Sequence, residues 1–295
     1  MDVRMNTHPP VEDIGSRFNK QQSRLIPLAY NVLGDMNEAR DVVQELLNHY
    51  FLNPMDHIEN HDAYLTRSVI NRAINAKKKI KVRKENYNGM WLPSPVVTEE
   101  DVYRSVDKRY ILDYSLLVLL ERLTPRERAV FILKESFDYQ HSDIASILEL
   151  REDYCRQLFR RARKKLDDSR PLEMKKEARS ETITALTHAI LQGDIEKVKE
   201  LLAADVNSMS DGGSLRAARN ILTGRDRVGR FLTALYNKYF LPDSEVIHAT
   251  INHLPALIFH RNNMIYRCIV FEIYEQKIHN VFIVINPEKL TEIHI

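Results

Sequence analysis

The sequence predicts a multidomain chain: two all-α domains, the second a helix-turn-helix, followed by an α+β domain with a curved antiparallel sheet. Three observations predict it. Residues 138–166, DYQHSDIASILELREDYCRQLFRRARKKL, hold two short helical patterns divided by a tight break. Residues 18–84 repeat their apolar side chains at the three- to four-residue spacing of helices. From Val246 the apolar residues instead gather in short strand-like runs separated by polar turns.

Length and charge set the frame. A chain of 295 residues has room for about two or three domains. The net charge is only +2, so any surface for nucleic acid must be local. Two stretches qualify: residues 67–84 contain eight Lys or Arg and no acid, and residues 160–165 contain five basic residues in six. Acids collect elsewhere, as in Glu99, Glu100 and Asp101. Cys155 and Cys268 lie far apart and suit neither a disulfide framework nor a metal cluster, so no metal or other cofactor is expected. The N-terminal residues lack the apolar core of a signal peptide, and no apolar run reaches the length of a membrane span. The expectation is a soluble, cytoplasmic protein with no membrane partner.

The first helical domain is expected over residues 15–84. Leu25, Leu28, Ala29, Val32 and Leu33 form one stripe, with Gly34 suited to cap its C-terminus and Asn37 to open the next helix. That next helix turns Ala39, Val42, Val43, Leu46 and Leu47 inward and Asp41, Gln44, Glu45 and Asn48 outward. Pro54 and Asn60 bracket a loop, and a third helix from about Asp62 runs into the basic stretch. Residues 85–112, which hold Trp91 and the prolines Pro93 and Pro95, have the composition of a linker.

A second helical domain is expected over residues 113–170. Thr124-Pro125-Arg126-Glu127 is a helix start, with Thr as N-cap, Pro at the first position and an acid in the first turn. Ile144, Ala145, Ile147 and Leu148 mark the first helix of the helix-turn-helix, and the break falls at Glu149-Leu150. The second helix carries Tyr154, Leu158, Ala162 and Leu166 on one side, and Arg156, Arg160, Arg161, Arg163 and Lys164 on the rest. A helix held on one face and basic on the other suits a DNA major groove flanked by phosphates. A solvated charged face would look the same on a lone helix; the preceding helix at turn spacing argues for the groove.

Residues 175–295 form the last expected domain. Two amphipathic helices over 180–204 break at Gly193-Asp194. Four strand patterns follow, VIHATIN, PALIFH, MIYRCIVFEIY and KIHNVFIVI, with turns at Arg261-Asn262-Asn263 and Glu275-Gln276. These read as an antiparallel meander.

Four ordered segments, EARDVVQELL, AYLTRSVINR, LERLTPRERAVFILKESFDY and HSDIASILELREDYCRQLFRRARKKL, carry a resemblance. The chain resembles the extracytoplasmic-function subgroup of the sigma-70 family over about residues 18–168. That resemblance implies a promoter-recognising subunit partnered by the RNA polymerase core enzyme and promoter DNA. It assigns Asp41, Gln44 and Glu45 to docking on a basic coiled coil of the polymerase clamp. It assigns Arg67, Asn71, Arg72, Lys77, Lys78 and Lys79 to a helix that melts the upstream element and holds its single strand, for which a cationic track is apt. Arg156, Gln157, Arg160, Arg161, Arg163 and Lys164 would read or grip the distal element as duplex. Two positions depart from the family pattern: Asn75 stands where Asp is frequent, and Glu149 where the turn often has Gly.

The C-terminal half resembles the SnoaL-like cone fused to one branch of that subgroup, the SigJ-like group. The resemblance rests on Trp91-Leu92-Pro93-Ser94-Pro95, Asp211-Gly212-Gly213-Ser214 and Asn286-Pro287-Glu288-Lys289-Leu290, with Ser214 replacing a frequent third Gly. A stiff segment bearing Trp should dock rather than merely tether. Trp91, Pro93 and Pro95 are therefore expected against Asp211, Gly212 and Gly213 or Asn286, Pro287 and Lys289, as an interdomain regulatory contact acting in cis. Gly212-Gly213 reads as a tight turn. The cone leaves room for a small-molecule ligand. An isomerase or cyclase reading would need a base and an oxyanion donor in one pocket; His188, His248, His253, His260, Asp205, Asp211 and Tyr236 are candidates, but no spacing selects a pair. A ligand-binding one-component regulator is the other competing reading, against which residues 18–84 count, since an operator binder needs no melting helix.

Overall fold

A computed structural model describes residues 14–53, 58–83, 87–99, 106–166, 176–239 and 243–293, so Pro54, Glu100 and Asp101 lie outside the described residues. The N-terminal helices are α1 (Ile14–Leu33), α2 (Met36–Leu52) and α3 (His61–Arg83). Gly34 ends α1 with φ 71°, a conformation that costs a residue with a Cβ. The cap of α2 falls at Asp35, two residues before the expected Asn37, and its carboxylate accepts from the Glu38 amide at 3.1 Å.

A 3-10 turn at Lys108–Tyr110 leads to α4 (Tyr114–Leu120), α5 (Pro125–Glu135), α6 (His141–Leu148) and α7 (Glu152–Leu166). Thr124 and Glu127 close a capping box at the start of α5. The break between α6 and α7 is made by Glu149 with φ 53°, so the glycine of the family pattern is replaced by a residue that still adopts the left-handed turn. The two helical halves share one apolar core. Leu33, Leu46, Val69 and Ile70 from α1 to α3 belong to the same cluster as Leu117, Ile132, Ile144 and Leu158.

The C-terminal half opens with α8 (Lys176–Leu191) and α9 (Ile195–Leu201), the latter capped by Asp194. It continues with β2 (Leu202–Gly213), β3 (Leu222–Thr223), α10 (Arg225–Tyr239), β4 (Glu245–Ile251), β5 (Leu254–Arg261), β6 (Met264–Tyr274), β7 (Lys277–Val284) and α11 (Pro287–Leu290). The short β1 (Asn88–Gly89) comes from the linker, and the sheet order is β1-β2-β7-β6-β5-β4 with β3 on β2. Strands β4 to β7 form the expected meander, with two positive-φ residues at each hairpin turn, Asn252-His253, Asn262-Asn263 and Glu275-Gln276.

The sheet is mixed, not wholly antiparallel. Residues 202–213 form a long strand parallel to β7, where the sequence suggests the end of a helix and a glycine turn. The segment LAADVNSMSDGG carries a single β-branched residue, which hides its strand character. Partners on both sides, β7 and β1 or β3, hold it extended.

Both faces of the meander are buried, by alternation along each strand. Leu257, Phe259, Ile269, Phe271 and Ile283 face α8 to α10. Ala256, Ile258, Cys268, Val270, Phe282 and Val284 face Leu92 and Val97 of the linker and Tyr114 of α4. The cone is therefore bolted to the helical half through the back of its own sheet.

Candidate nucleic-acid interface and interdomain seam

Helix α7 is anchored by Cys155, Leu158 and Ala162, all buried, which turns the intervening positions outward. Arg156, Gln157, Arg160, Arg161, Arg163 and Lys164 are all exposed on it, so the candidate duplex-reading residues share one accessible surface. Arg156 is held by Glu152 one turn earlier at 2.5 Å. Lys165 bends back to the buried Glu127 at 2.7 Å; the Glu127 carboxyl is buried, but Lys165 and the Thr124 cap hold it below the ordinary carboxylate range.

On α2, Asp41, Gln44 and Glu45 are exposed together. Glu45 pairs with Arg72 of α3 at 2.8 Å. The cone leans on this same helix: Arg40 meets Glu292 at 3.5 Å, and the Asn37 amide donates to the Glu288 carbonyl at 3.3 Å. Asn37, Arg40 and Gln44 follow the i, i+3, i+7 order of one helical face.

Helix α3 presents Lys78 and Lys79 to solvent and keeps Asn71 and Arg72 half-buried. Lys78 donates to Asn75 at 3.4 Å. Arg67 forms an ion pair with Glu149 in the helix-turn-helix break, which joins the candidate melting helix to the other DNA-binding unit. Lys77 departs from expectation. Only 7% exposed, it donates to the Leu33 carbonyl and pairs with Glu121 of α4's C-cap at 2.7 Å. It cannot join a surface track with its neighbours, because helical periodicity turns it to the opposite side, toward α4 and Trp91.

The segment Trp91–Pro95 lies between the two halves. On the helical side, the Ser94 amide donates to Gly34 O at 2.9 Å, and Tyr30 and Tyr114 hydroxyls donate to the Ser94 and Pro93 carbonyls at 2.6 and 2.7 Å. A Cβ at Gly34 would stand 2.8 Å from the Trp91 ring, so the glycine serves both the turn and this approach. On the cone side, the Asp211 carboxylate accepts from the Leu92 amide at 2.8 Å and from the Lys289 ammonium at 2.6 Å. Lys77 and Lys289 sit 4.5 and 4.0 Å from the centre of the Trp91 ring, where its electron-rich face attracts cations.

Tyr87 completes the cluster, donating to Asp211 at 2.5 Å and accepting from Asn286 at 2.7 Å. Burial, reinforced by the Asp211 charge, pushes the Tyr87 phenol far above its ordinary value, and burial does the same for Tyr30 and Tyr114. Burial pulls the Lys289 ammonium down against the opposing attraction of Asp211. Gly213, with φ 58°, lies against Asn286, and a Cβ there would come within 2.4 Å of that side chain. The two glycines thus end a strand and admit a neighbour; they do not make a free-standing turn. Pro287 begins α11, which aims Lys289 inward.

Sequence reasoning missed the polar side of this seam. Asn252, wholly buried at a hairpin turn, exchanges bonds with Val96 and donates to Tyr30 at 3.0 Å and the Leu112 carbonyl at 3.1 Å. Arg128, 1% exposed, donates to Asn31 O at 2.8 Å and pairs with Glu121. A polar Asn-His pair between two strand patterns was the available sign of that turn.

The cone's titratable candidates do not converge. His188 and Asp205 are exposed, Asp211 is committed to the seam, and His253 bonds the Ile111 carbonyl at 2.9 Å. Tyr236 lies on α10, and His260 pairs with Glu245 at 3.2 Å. His248 stands apart from them at the rim of an apolar cavity. Among the described residues no group of three His, Cys, Asp or Glu is placed to hold a metal ion, and no helix is long and apolar enough to cross a membrane.

Known proteins place this architecture. Residues 114–166 match the Sigma-70, region 4 family. The chain is 32% identical over 235 residues to the ECF RNA polymerase sigma factor SigJ of Mycobacterium tuberculosis (strain ATCC 25618 / H37Rv), across 76% of this chain and 73% of that protein. It is 26% identical over 297 residues to the probable ECF RNA polymerase sigma factor SigI of Mycobacterium tuberculosis (strain CDC 1551 / Oshkosh), across 97% of each. The crystal structure of Mycobacterium tuberculosis SigJ superposes with a TM-score of 0.74 at 26% identity, covering 94% of this chain and 98% of that one. With three helical layers of candidate contacts leading into a docked cone, the chain belongs to the extracytoplasmic-function family of RNA polymerase sigma factors.

Proposed function

We propose that this sigma factor docks on core polymerase through Asp41, Gln44 and Glu45, and that its cone restrains that docking in cis. The observation that carries the reading is the shared face of α2. Asn37 and Arg40 are held by Glu288 and Glu292 of the cone, and Gln44 lies one turn further along. A large partner seated on Gln44 and Glu45 would meet the cone. The Arg67–Glu149 pair supports the same view, because a melting helix and a duplex reader that face each other cannot engage two separated promoter elements together.

In the open state, Arg67, Asn71, Arg72, Lys78 and Lys79 would hold the melted strand, while Arg156, Gln157 and Arg160 read the duplex and Arg161, Arg163 and Lys164 grip phosphates. The cone's role is regulatory rather than catalytic, supported by the use of Asp211 in the seam. Its cavity admits a small-molecule signal. The site of action is the cytoplasm, with polymerase and its template.

The test is core-polymerase pull-down and promoter-dependent initiation with two variants. Glu292→Ala should strengthen core binding, by up to the 5–150-fold of a typical coupling of about 1–3 kcal/mol. Glu45→Lys should weaken it while the fold survives, since exposed changes shift stability by less than about 0.5 kcal/mol. Equal core affinity for wild type and Glu292→Ala would remove the restraint from the reading, and equal affinity for Glu45→Lys would remove the docking face.

A further inference from the structure

The front face of the meander closes a cavity of about 200 Å³ under α8 and α10. Its walls are nearly all apolar, from Ile190, Leu232, Leu257, Phe259, Ile269 and Phe271. The register builds two rows across the strands: His248, Leu257 and Ile269 in one, Val246, Phe259 and Arg267 in the other. The second row places a guanidinium in the cavity wall.

Arg267 is only 5% exposed. Its head lies 5.5 Å from the Phe259 ring centre and 5.7 Å from that of Tyr266. Two aromatic faces steady the cation and fix its plane, but they take none of its five N–H donors. A planar guanidinium with oriented donors is the group best matched to a carboxylate, which it binds through two parallel bonds. Among the described lining residues there is no Asp, Glu or Tyr to repel such an anion or to act as a base on it.

The geometry points to the cone as a receptor for a small apolar carboxylic acid, held by Arg267 with its hydrocarbon or aromatic body against Leu257, Ile269 and Phe271. The volume sets the size. An apolar cavity of about 150 Å³ holds benzene, so this one takes a ring with a short acid arm, roughly ten non-hydrogen atoms. That the acid acts as a signal rests on the cis-restraint reading. The connection is the sheet itself: Ala256, Ile258, Cys268 and Val270, interleaved with the cavity residues, press on Leu92 and Tyr114.

The experiment titrates the full chain with 3-phenylpropionate and, as uncharged matches, 3-phenylpropanamide and 3-phenylpropanol, by calorimetry and thermal shift. The acid should bind in the micromolar to low-millimolar range, about ten- to a hundredfold tighter than the amide, the preference that charge-assisted bonds give. Arg267→Met should erase the preference, and Leu257→Trp, which fills the cavity, should abolish binding of all three. Equal binding of acid and amide to wild type, or no binding of the acid, overturns the proposal whether or not either variant folds, and leaves the Glu292 test of the restraint untouched. In promoter-dependent initiation, the acid should change the wild-type rate several-fold and leave Arg267→Met unmoved. Binding without any change in rate would overturn the signal role and leave the binding site standing.

Discussion

At the scale of single residues, the seam depends on charges that burial makes costly to leave alone. Asp211 and Lys289 are 0% and 4% exposed as side chains. Removing one partner of such a pair strands the other, which costs about 3–5 kcal/mol, whereas replacing both by apolar groups is often neutral. Asp211→Ala should therefore lower the thermal midpoint sharply, and Asp211→Leu with Lys289→Met should recover most of the loss. The phenols give a second expectation. Tyr30, Tyr87 and Tyr114 all have values raised above the ordinary value of about 10. A raised folded value means that the unfolded chain loses its proton first, so stability is fully present below pH of about 10 and falls as pH rises beyond it. Emission from Trp91, the single Trp of the chain, should follow that alkaline opening, and an emission that stays constant until global unfolding would show that the phenols do not govern the seam.

At the scale of elements, α7 should divide its labour. Arg156→Ala should cost about 1–3 kcal/mol on the right promoter and relax specificity there, as loss of a bidentate guanine contact does. Loss of Arg161, Arg163 and Lys164 should weaken all sequences alike and flatten the salt dependence. Binding titrations on matched and scrambled duplexes at several salt concentrations separate the two, and the reverse assignment would mean the helix lies the other way along the groove. The helices were the legible part of this chain, because capping signals and apolar spacing are local: Thr124 to Glu127 and Gly34 could be read directly. Strand β2 was not legible, since its extended form is imposed by β7 and β1 and not by its own residues. The docking of Trp91 could be inferred from what Trp and Pro cost in water, but the burial of Lys77 could not. Nothing in a run of three lysines says which of them faces the neighbouring domain.

At the scale of the whole molecule, closure should be set by fit at a few points. Gly213→Ala forces a Cβ against Asn286 at a left-handed φ, an overpacking that typically costs about 1–3 kcal/mol. The seam should loosen while α7 keeps its fold, so spin or dye labels on α7 and the cone should move apart in the variant. An unchanged distance distribution would place the closure elsewhere. Read in terms of inheritance, the doubly buried meander separates two tasks by parity. Along β5 and β6, odd-numbered residues such as Leu257, Phe259, Arg267 and Ile269 line the cavity, and even-numbered ones such as Ala256, Ile258, Cys268 and Val270 meet the linker. Descendants of this gene can thus retune what the cone senses by changing every second codon, and leave how firmly it grips the sigma half to the codons between.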